Sequence, residues 1–211
     1  MLLSIDTSAG TSVAVVDRDR GIIAEAGEPD TRRHAEVVGE LIRLCLDRSG
    51  VAISALSGVV AGMGPGPFTG LRVGIAAANA FALGAGKPVV RVVSHDGIAW
   101  QHYASGASGP LLVVTDARRR EVYWSAYGGA DEFGLPQREQ GPGLVAPDSL
   151  ANAVTDYDGY SRVDAVEVSA GASGMLAETL YQHGRPFAAR EPLYLRAPDA
   201  TVPGLPKRVT G

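Results

Sequence analysis

Residues 73–85 run through a segment whose one polar side chain is Asn79. At 3.6 residues per turn, Val73, Ile75, Ala76, Ala77, Ala78, Ala80, Phe81, Ala82 and Leu83 leave such a helix almost no polar face. A helix that is apolar all round has to be covered all round. In a small domain one side lies on a sheet, and the other needs a second helix or another chain. The preceding helix, expected over 32–49, carries a surplus too. Val38, Leu41, Ile42, Cys45 and Leu46 fall at i, i+3, i+4, i+7 and i+8, Val37 and Leu44 broaden the stripe, and Gly50 closes it. Either the two helices cover each other or they present a protein interface. The candidate interface residues are Val37, Val38, Leu41, Leu44 and Cys45 on the first helix, and Arg72, Ile75, Ala78, Asn79 and Ala82 on the second.

Around these helices the chain reads as α/β. The apolar strand 2–5 ends at Asp6-Thr7-Ser8, and strands 13–16 and 22–26 follow across short turns, as in an antiparallel meander. A buried strand over 56–63 leads through a glycine-rich loop to the apolar helix, with Thr69 as its expected cap. A strand over 89–93 and a short helix over 95–103, capped by Ser94, complete a mixed sheet with crossovers. Residues 105–110 form the best boundary. Beyond it, a strand over 111–115 ends at Asp116, Arg118-Arg119-Arg120 make a charged turn, and a strand spans 121–127. A Gly/Pro-rich connection (128–143), a helix (147–154), a strand (165–168) and a helix (173–183) follow. The expected organisation is a first lobe over 1–104, a smaller second lobe over 110–190, and a Pro-rich tail over 191–211 that clasps the first lobe. Both lobes open with a strand ending in Asp, as an eroded duplication would.

Composition narrows the classes. A net charge of −4 argues against this chain alone being the main nucleic-acid grip. One cysteine excludes a disulfide framework. The apolar run is shorter than the roughly 20 residues of a membrane span, and no basic segment precedes the first strand, so a reduced, cytoplasmic protein is expected.

The polar motifs have two readings each. Asp6-Thr7-Ser8 at a strand end suits Mg²⁺ or phosphate, or an ordinary Asx turn. The loop 64–70 sits at a helix N-terminus, where anions bind, yet its two prolines remove N–H donors. Asp6, Thr7, Ser8, Gly64, Gly66 and Thr69 are therefore candidate nucleotide contacts, and a stiff turn is the plain alternative. The arginine turn reads as RNA phosphate contact or a solvated hairpin. His34, His95, His102 and His183 are scattered, and no Gly-x-Ser-x-Gly elbow is present.

Together, Leu3-Ser4-Ile5-Asp6-Thr7-Ser8, His34-Ala35-Glu36, the block from Gly62 to Gly74 and Asp116-Ala117-Arg118-Arg119-Arg120-Glu121-Val122-Tyr123 resemble the TsaB (YeaZ) family. The resemblance implies a two-lobed fold of the actin/Hsp70/sugar-kinase (ASKHA) type. It implies a non-catalytic subunit that pairs through its first-lobe helices with a TsaD-like transferase, joined by a TsaE-like ATPase. That machinery forms threonylcarbamoyladenosine (t6A) beside the tRNA anticodon. The transferase relatives hold a metal with two histidines four apart; here the matching positions are His95 and Ala99. The resemblance therefore implies no metal and no cofactor required by this subunit, ATP or ADP with Mg²⁺ at the partner junction, tRNA reached through the complex, and self-association when isolated. The alternative is an autonomous ATP-dependent phosphotransferase using Asp6 and Asp116.

Overall fold

A computed structural model describes residues 1–196. β1 (Leu2–Asp6), β2 (Thr11–Asp17) and β3 (Gly21–Glu28) form an antiparallel meander, with Leu3 opposite Val15 and Ile5 opposite Val13. β4 (Gly58–Gly62) and β5 (Val89–Val92) continue the sheet in parallel, in the order β3-β2-β1-β4-β5. Parallel neighbours need crossovers, supplied by α1 (His34–Ser49) and α2 (Phe68–Ala85). Alternation along the strands divides the side chains between two faces. Leu3, Ile5, Val13, Val15, Val59 and Ala61 meet α1 and α2, while Leu2, Ala14, Val16 and Val60 point the other way.

The second sheet, β8-β7-β6-β9, contains β6 (Leu111–Asp116), β7 (Val122–Ala130), β8 (Pro136–Val145) and β9 (Ser161–Ala165). Its meander β6–β7–β8 and its parallel β9 repeat the first sheet without a counterpart of β5. Where the first lobe has the 16-residue α1, the second has α4 (Leu150–Ala153) and single 3₁₀ turns.

Several expected elements are corrected. Much of 128–143 is strand: β7 runs to Ala130 and β8 starts at Pro136. The polar run Gln137-Arg138-Glu139-Gln140 on an edge strand and the irregular register between Trp124 and Ala130 hide that hairpin. β9 ends at Ala165, because Val166 is 91% exposed and Val168 alone turns inward. α2 begins at Phe68 behind Pro67, so Thr69 lies exposed within its first turn and caps nothing. α3 (Ser94–Ala104) begins at Ser94 itself, whose hydroxyl is bonded to Asp6. α5 (Ala170–Gln182) starts three residues earlier than expected, with Ser169 Oγ accepting from the Ala172 N–H.

Helices cross between the lobes. α5 follows the second sheet in sequence yet packs on the first, where Ala170, Leu176 and Ala177 join Leu2, Ala14, Val16 and Val60. α3 precedes the second sheet and packs on it through Ile98, Ala99 and Tyr103 against Leu111, Val113 and Tyr127. The other face of that sheet is closed by Leu150 and Val154 over Leu112, Val114 and Trp124. The boundary at 105–110 thus separates the sheets but not their helices. Further on, the Ala188 N–H donates to Arg91 O and the Leu193 N–H to Met63 O, each at 2.9 Å. Pro198, Pro203 and Pro206 lie outside the described residues.

α2 has the length and composition to cross a membrane, but its Gly70, Leu71, Gly74, Ala78 and Ala82 are buried within the fold. Gly74 permits close approach: a Cβ there would meet Thr7 Oγ1 at 2.2 Å, whereas at Gly84 it would meet nothing within 4 Å. Urea denaturation should therefore show Gly74→Ala destabilising by about 1–3 kcal/mol. Gly84→Ala should stabilise by about 0.5–1 kcal/mol through helix propensity.

Candidate functional site

The Asp-Thr-Ser turn is locked into the glycine loop. Asp6 is 1% exposed. Its Oδ1 accepts from the Ser8 N–H (2.8 Å) and from the Ser8 hydroxyl, and its Oδ2 accepts from Ser94 Oγ (2.7 Å). Ser94 Oγ in turn accepts from the Gly64 N–H at 3.0 Å. Burial pushes the Asp6 carboxyl above the usual range, and the bonds from Ser8 and Ser94 oppose that. Thr7 Oγ1 donates to Gly70 O (2.7 Å) and accepts from the Gly74 N–H (3.1 Å). A Cβ on Gly66 would lie 2.8 Å from Ser8 Cα. Asp6, Thr7, Ser8 and Gly64, expected as ligand contacts, thus hold the fold together: they are buried, their polar groups are bonded to one another, to Ser94 or to Gly70 and Gly74 of α2, and none of them lines the cleft described below. Gly66 and Thr69 do reach that cleft. Asp116 is exposed and accepts the Arg118 N–H at 2.9 Å.

The histidines are packed separately. His95 is fully buried, with Nδ1 2.9 Å from Ser125 Oγ and Nε2 2.9 Å from Thr115 Oγ1. Burial pulls its pKa down to about 3. Ala99 is also fully buried. His34 lies 2.7 Å from Thr11 Oγ1, and His183 stacks on Phe133 at 4.0 Å.

On the helix pair, six expected interface residues are corrected. Val37, Val38, Leu41, Cys45, Ala78 and Ala82 belong to the core over the first sheet, and the Cys45 thiol, 3.1 Å from Val13 O, is pushed up to about 11 by burial. The centre of an apolar stripe meets the sheet, so only its margins stay available to a partner. Leu44 and Ile75 are half-buried, and Arg72 and Asn79 are exposed. Ala76, Ala80 and Leu83 join them on the outer side of α2, Leu83 being 86% exposed. Arg72, Ala76, Asn79, Ala80 and Leu83 recur at helical spacing on one face. Asn79 Nδ2 donates back to Ile75 O at 2.7 Å, and the Arg72 guanidinium lies over the Phe68 ring at 4.2 Å. α1 and α2 touch, yet this face stays open to solvent. The one sequence signal for Ala76, Ala80 and Leu83 is that they share a helical face with the polar Arg72 and Asn79.

A second feature lies where α2 begins. A cleft of about 420 Å³ is walled by the first turn of α2 and the turn between β6 and β7, with Tyr123, Tyr194 and Arg196 completing its lining.

Residues 13–137 match the family model for TsaD, tRNA N6-adenosine threonylcarbamoyltransferase. An uncharacterized protein of Mycobacterium tuberculosis is 36% identical over 208 residues, covering 94% of this chain and 93% of that protein. The tRNA threonylcarbamoyladenosine biosynthesis protein TsaB of Escherichia coli is 28% identical over 158 residues, 75% of this chain and 68% of its own. YeaZ from Pseudomonas aeruginosa superposes with a TM-score of 0.71 at 26% identity, over 87% of this chain and 92% of that one. The chain belongs to the TsaB (YeaZ) family. Its α/β fold of two mixed sheets with helices is that of the YeaZ structure, and the TsaB family is one of tRNA threonylcarbamoyladenosine biosynthesis proteins. Within that frame the Asp-Thr-Ser turn and His95 are elements of the core.

His95 also gives a pH signature. Its folded pKa lies below the ordinary histidine value of 6.5, so as pH falls below that value the unfolded chain takes a proton that the folded chain refuses. Stability should therefore drop on acidification from this group, by about 2 kcal/mol between pH 7 and pH 5. Denaturation of a His95→Gln variant at both pH values should show lower stability overall but a smaller drop between them.

Proposed function

We propose that this protein is a non-catalytic subunit of t6A formation that binds a TsaD-like transferase through the outer face of α2, with the adjoining margin of α1. One observation carries the reading: on the side of α2 turned away from the sheet, Ala76, Ala80 and Leu83 are exposed alongside Arg72 and Asn79, and nothing among the described residues covers them. Small residues on a helix face let a partner helix approach closely, and exposed apolar patches of this kind mark association sites. The match of 125 residues to the TsaD model supports pairing between two similarly built chains. The states of Asp6 and His95 support a role outside the chemical step, since the carboxylate is spent on Ser8 and Ser94 and the imidazole is desolvated and neutral. They give the phosphotransferase alternative no support. On this reading no cofactor is required by this subunit, ATP or ADP with Mg²⁺ belongs to the junction with the transferase, a TsaE-like ATPase completes a cytoplasmic assembly, and tRNA is met through it. The isolated chain self-associates by the same face.

Light scattering on a sizing column tests the face. Leu83→Asp and Ala80→Arg should leave the melting temperature nearly unchanged, because both positions are exposed. They should weaken the complex with the transferase by about 2–4 kcal/mol, as expected for a charge placed in an apolar contact. Leu41→Asp should instead unfold the chain. A complex of full mass with both surface variants would show that the partner binds elsewhere.

A further inference from the structure

The arginine turn and the cleft beside it are not used by the partner face. We propose that this cleft holds the sugar–phosphate backbone of a single RNA strand, an inference that rests on the t6A role proposed above and assigns part of the RNA contact to this subunit. The first observation is conformational. Arg118, Arg119 and Arg120 have φ of 60°, 54° and 63°, in the left-handed region, and none of them is glycine. L-residues avoid that region because Cβ crowds the following carbonyl, and a turn needed only to reverse the chain takes Gly or Asn there. The turn is nevertheless fixed: the Ala117 N–H donates to Glu121 O, the Glu121 N–H to Arg118 O, and the Arg118 guanidinium to Thr31 Oγ1. Backbone strain held in place by its surroundings concentrates at functional sites.

The second observation is what faces the turn. Arg118 and Arg119 line the cleft on one side, and Arg196, bridged to Glu121, lines it on another. The first turn of α2 forms the opposite wall and has no side-chain cap, so its N–H groups remain to meet an anion. Tyr194 packs against Phe68 with ring centroids 4.7 Å apart and the rings tilted by 51°, and both are only partly buried, while buried Tyr123 backs the cleft. Arginines, backbone amides and aromatic rings are the parts from which backbone-tracking RNA sites are made.

The third observation separates a strand from a free nucleotide. Among the described residues, the lining has no carboxylate to order a metal-bound triphosphate. Asp6 is buried beneath the loop and Asp116 holds the turn. A phosphodiester carries a single charge and needs only guanidinium and amide donors. Exposed Arg120 extends the row of charge along the chain, as a polymer requires.

The test is fluorescence anisotropy with a labelled single-stranded RNA and a labelled anticodon stem-loop, on the full chain alone and in its complex with the transferase, alongside a labelled Mg-ATP analogue. RNA binding should weaken with salt, and Arg118→Glu with Arg119→Glu should weaken it at least tenfold. The slope of log affinity against log salt should fall by about 0.7 for each phosphate that the variant no longer neutralises. Replacing Arg119 and Arg120 by Gly keeps the turn foldable, so it should not lower the melting temperature while it weakens RNA binding. The proposal is overturned if RNA affinity and salt slope match wild type in both variants, in both forms of the protein. It is equally overturned if the variants abolish Mg-ATP binding and leave RNA binding intact. Failure of the wild-type chain to join the transferase would instead count against the t6A role, leaving the RNA measurement on the lone chain to decide this site.

Discussion

One buried carboxylate organises the first lobe. Asp6 closes β1, binds Ser8 in its own turn, and reaches Ser94 at the start of α3, which also receives the Gly64 N–H of the glycine loop. Thr7, the next residue, is bonded to Gly70 and Gly74 of α2. Two adjacent side chains therefore fix where three elements begin. Desolvating a carboxylate is costly, and the donors around Asp6 offset that cost only while the loop and α3 stay in place. Losing one of them strands the others in a site without water. The glycines at 62, 66 and 74 are part of this arrangement, since a Cβ at each would strike Asp6, Ser8 or Thr7.

The knot sets how α2 presents itself. With Gly70 and Gly74 held against Thr7, the row Leu71, Gly74, Ala78 and Ala82 lies inward and the row Arg72, Ala76, Asn79, Ala80 and Leu83 outward. An apolar helix with only one covered side is a poor arrangement for an isolated chain and a good one for a subunit. The same anchoring directs the first turn of α2 toward the arginine turn between β6 and β7. Exchange of α3 and α5 between the sheets couples the two lobes, so the cleft has walls from both.

Much of this is legible in the sequence, and the gaps have physical reasons. The meander, the crossovers and the surplus apolar surface follow from alternation and helical period, and the long Gly-Pro-Gly-Pro-Phe-Thr-Gly-Leu-Arg block points to the family. Periodicity assigns a residue to a stripe but does not say which part of a broad stripe meets the sheet. Val37, Val38, Leu41, Cys45, Ala78 and Ala82 therefore read as partner surface in the sequence and are core in the fold. Asp6-Thr7-Ser8 looks like a ligand turn because, beyond the local bonds from Ser8, the groups that fill it are Gly70, Gly74 and Ser94, far away in sequence. β8 escapes a sequence reading because a polar edge strand has no buried face to pattern it. Tyr194 and Arg196 join the cleft only through the return of the chain after α5.

The central claim is that the outer face of α2 is the partner surface. Hydrogen exchange of the chain, alone and with the transferase, measures this without altering a residue. Partner docking should slow amide exchange across residues 72–85 and along α1, while β8 and β9 exchange as in the free chain. Protection confined to the second sheet, with α2 unchanged, would contradict the account.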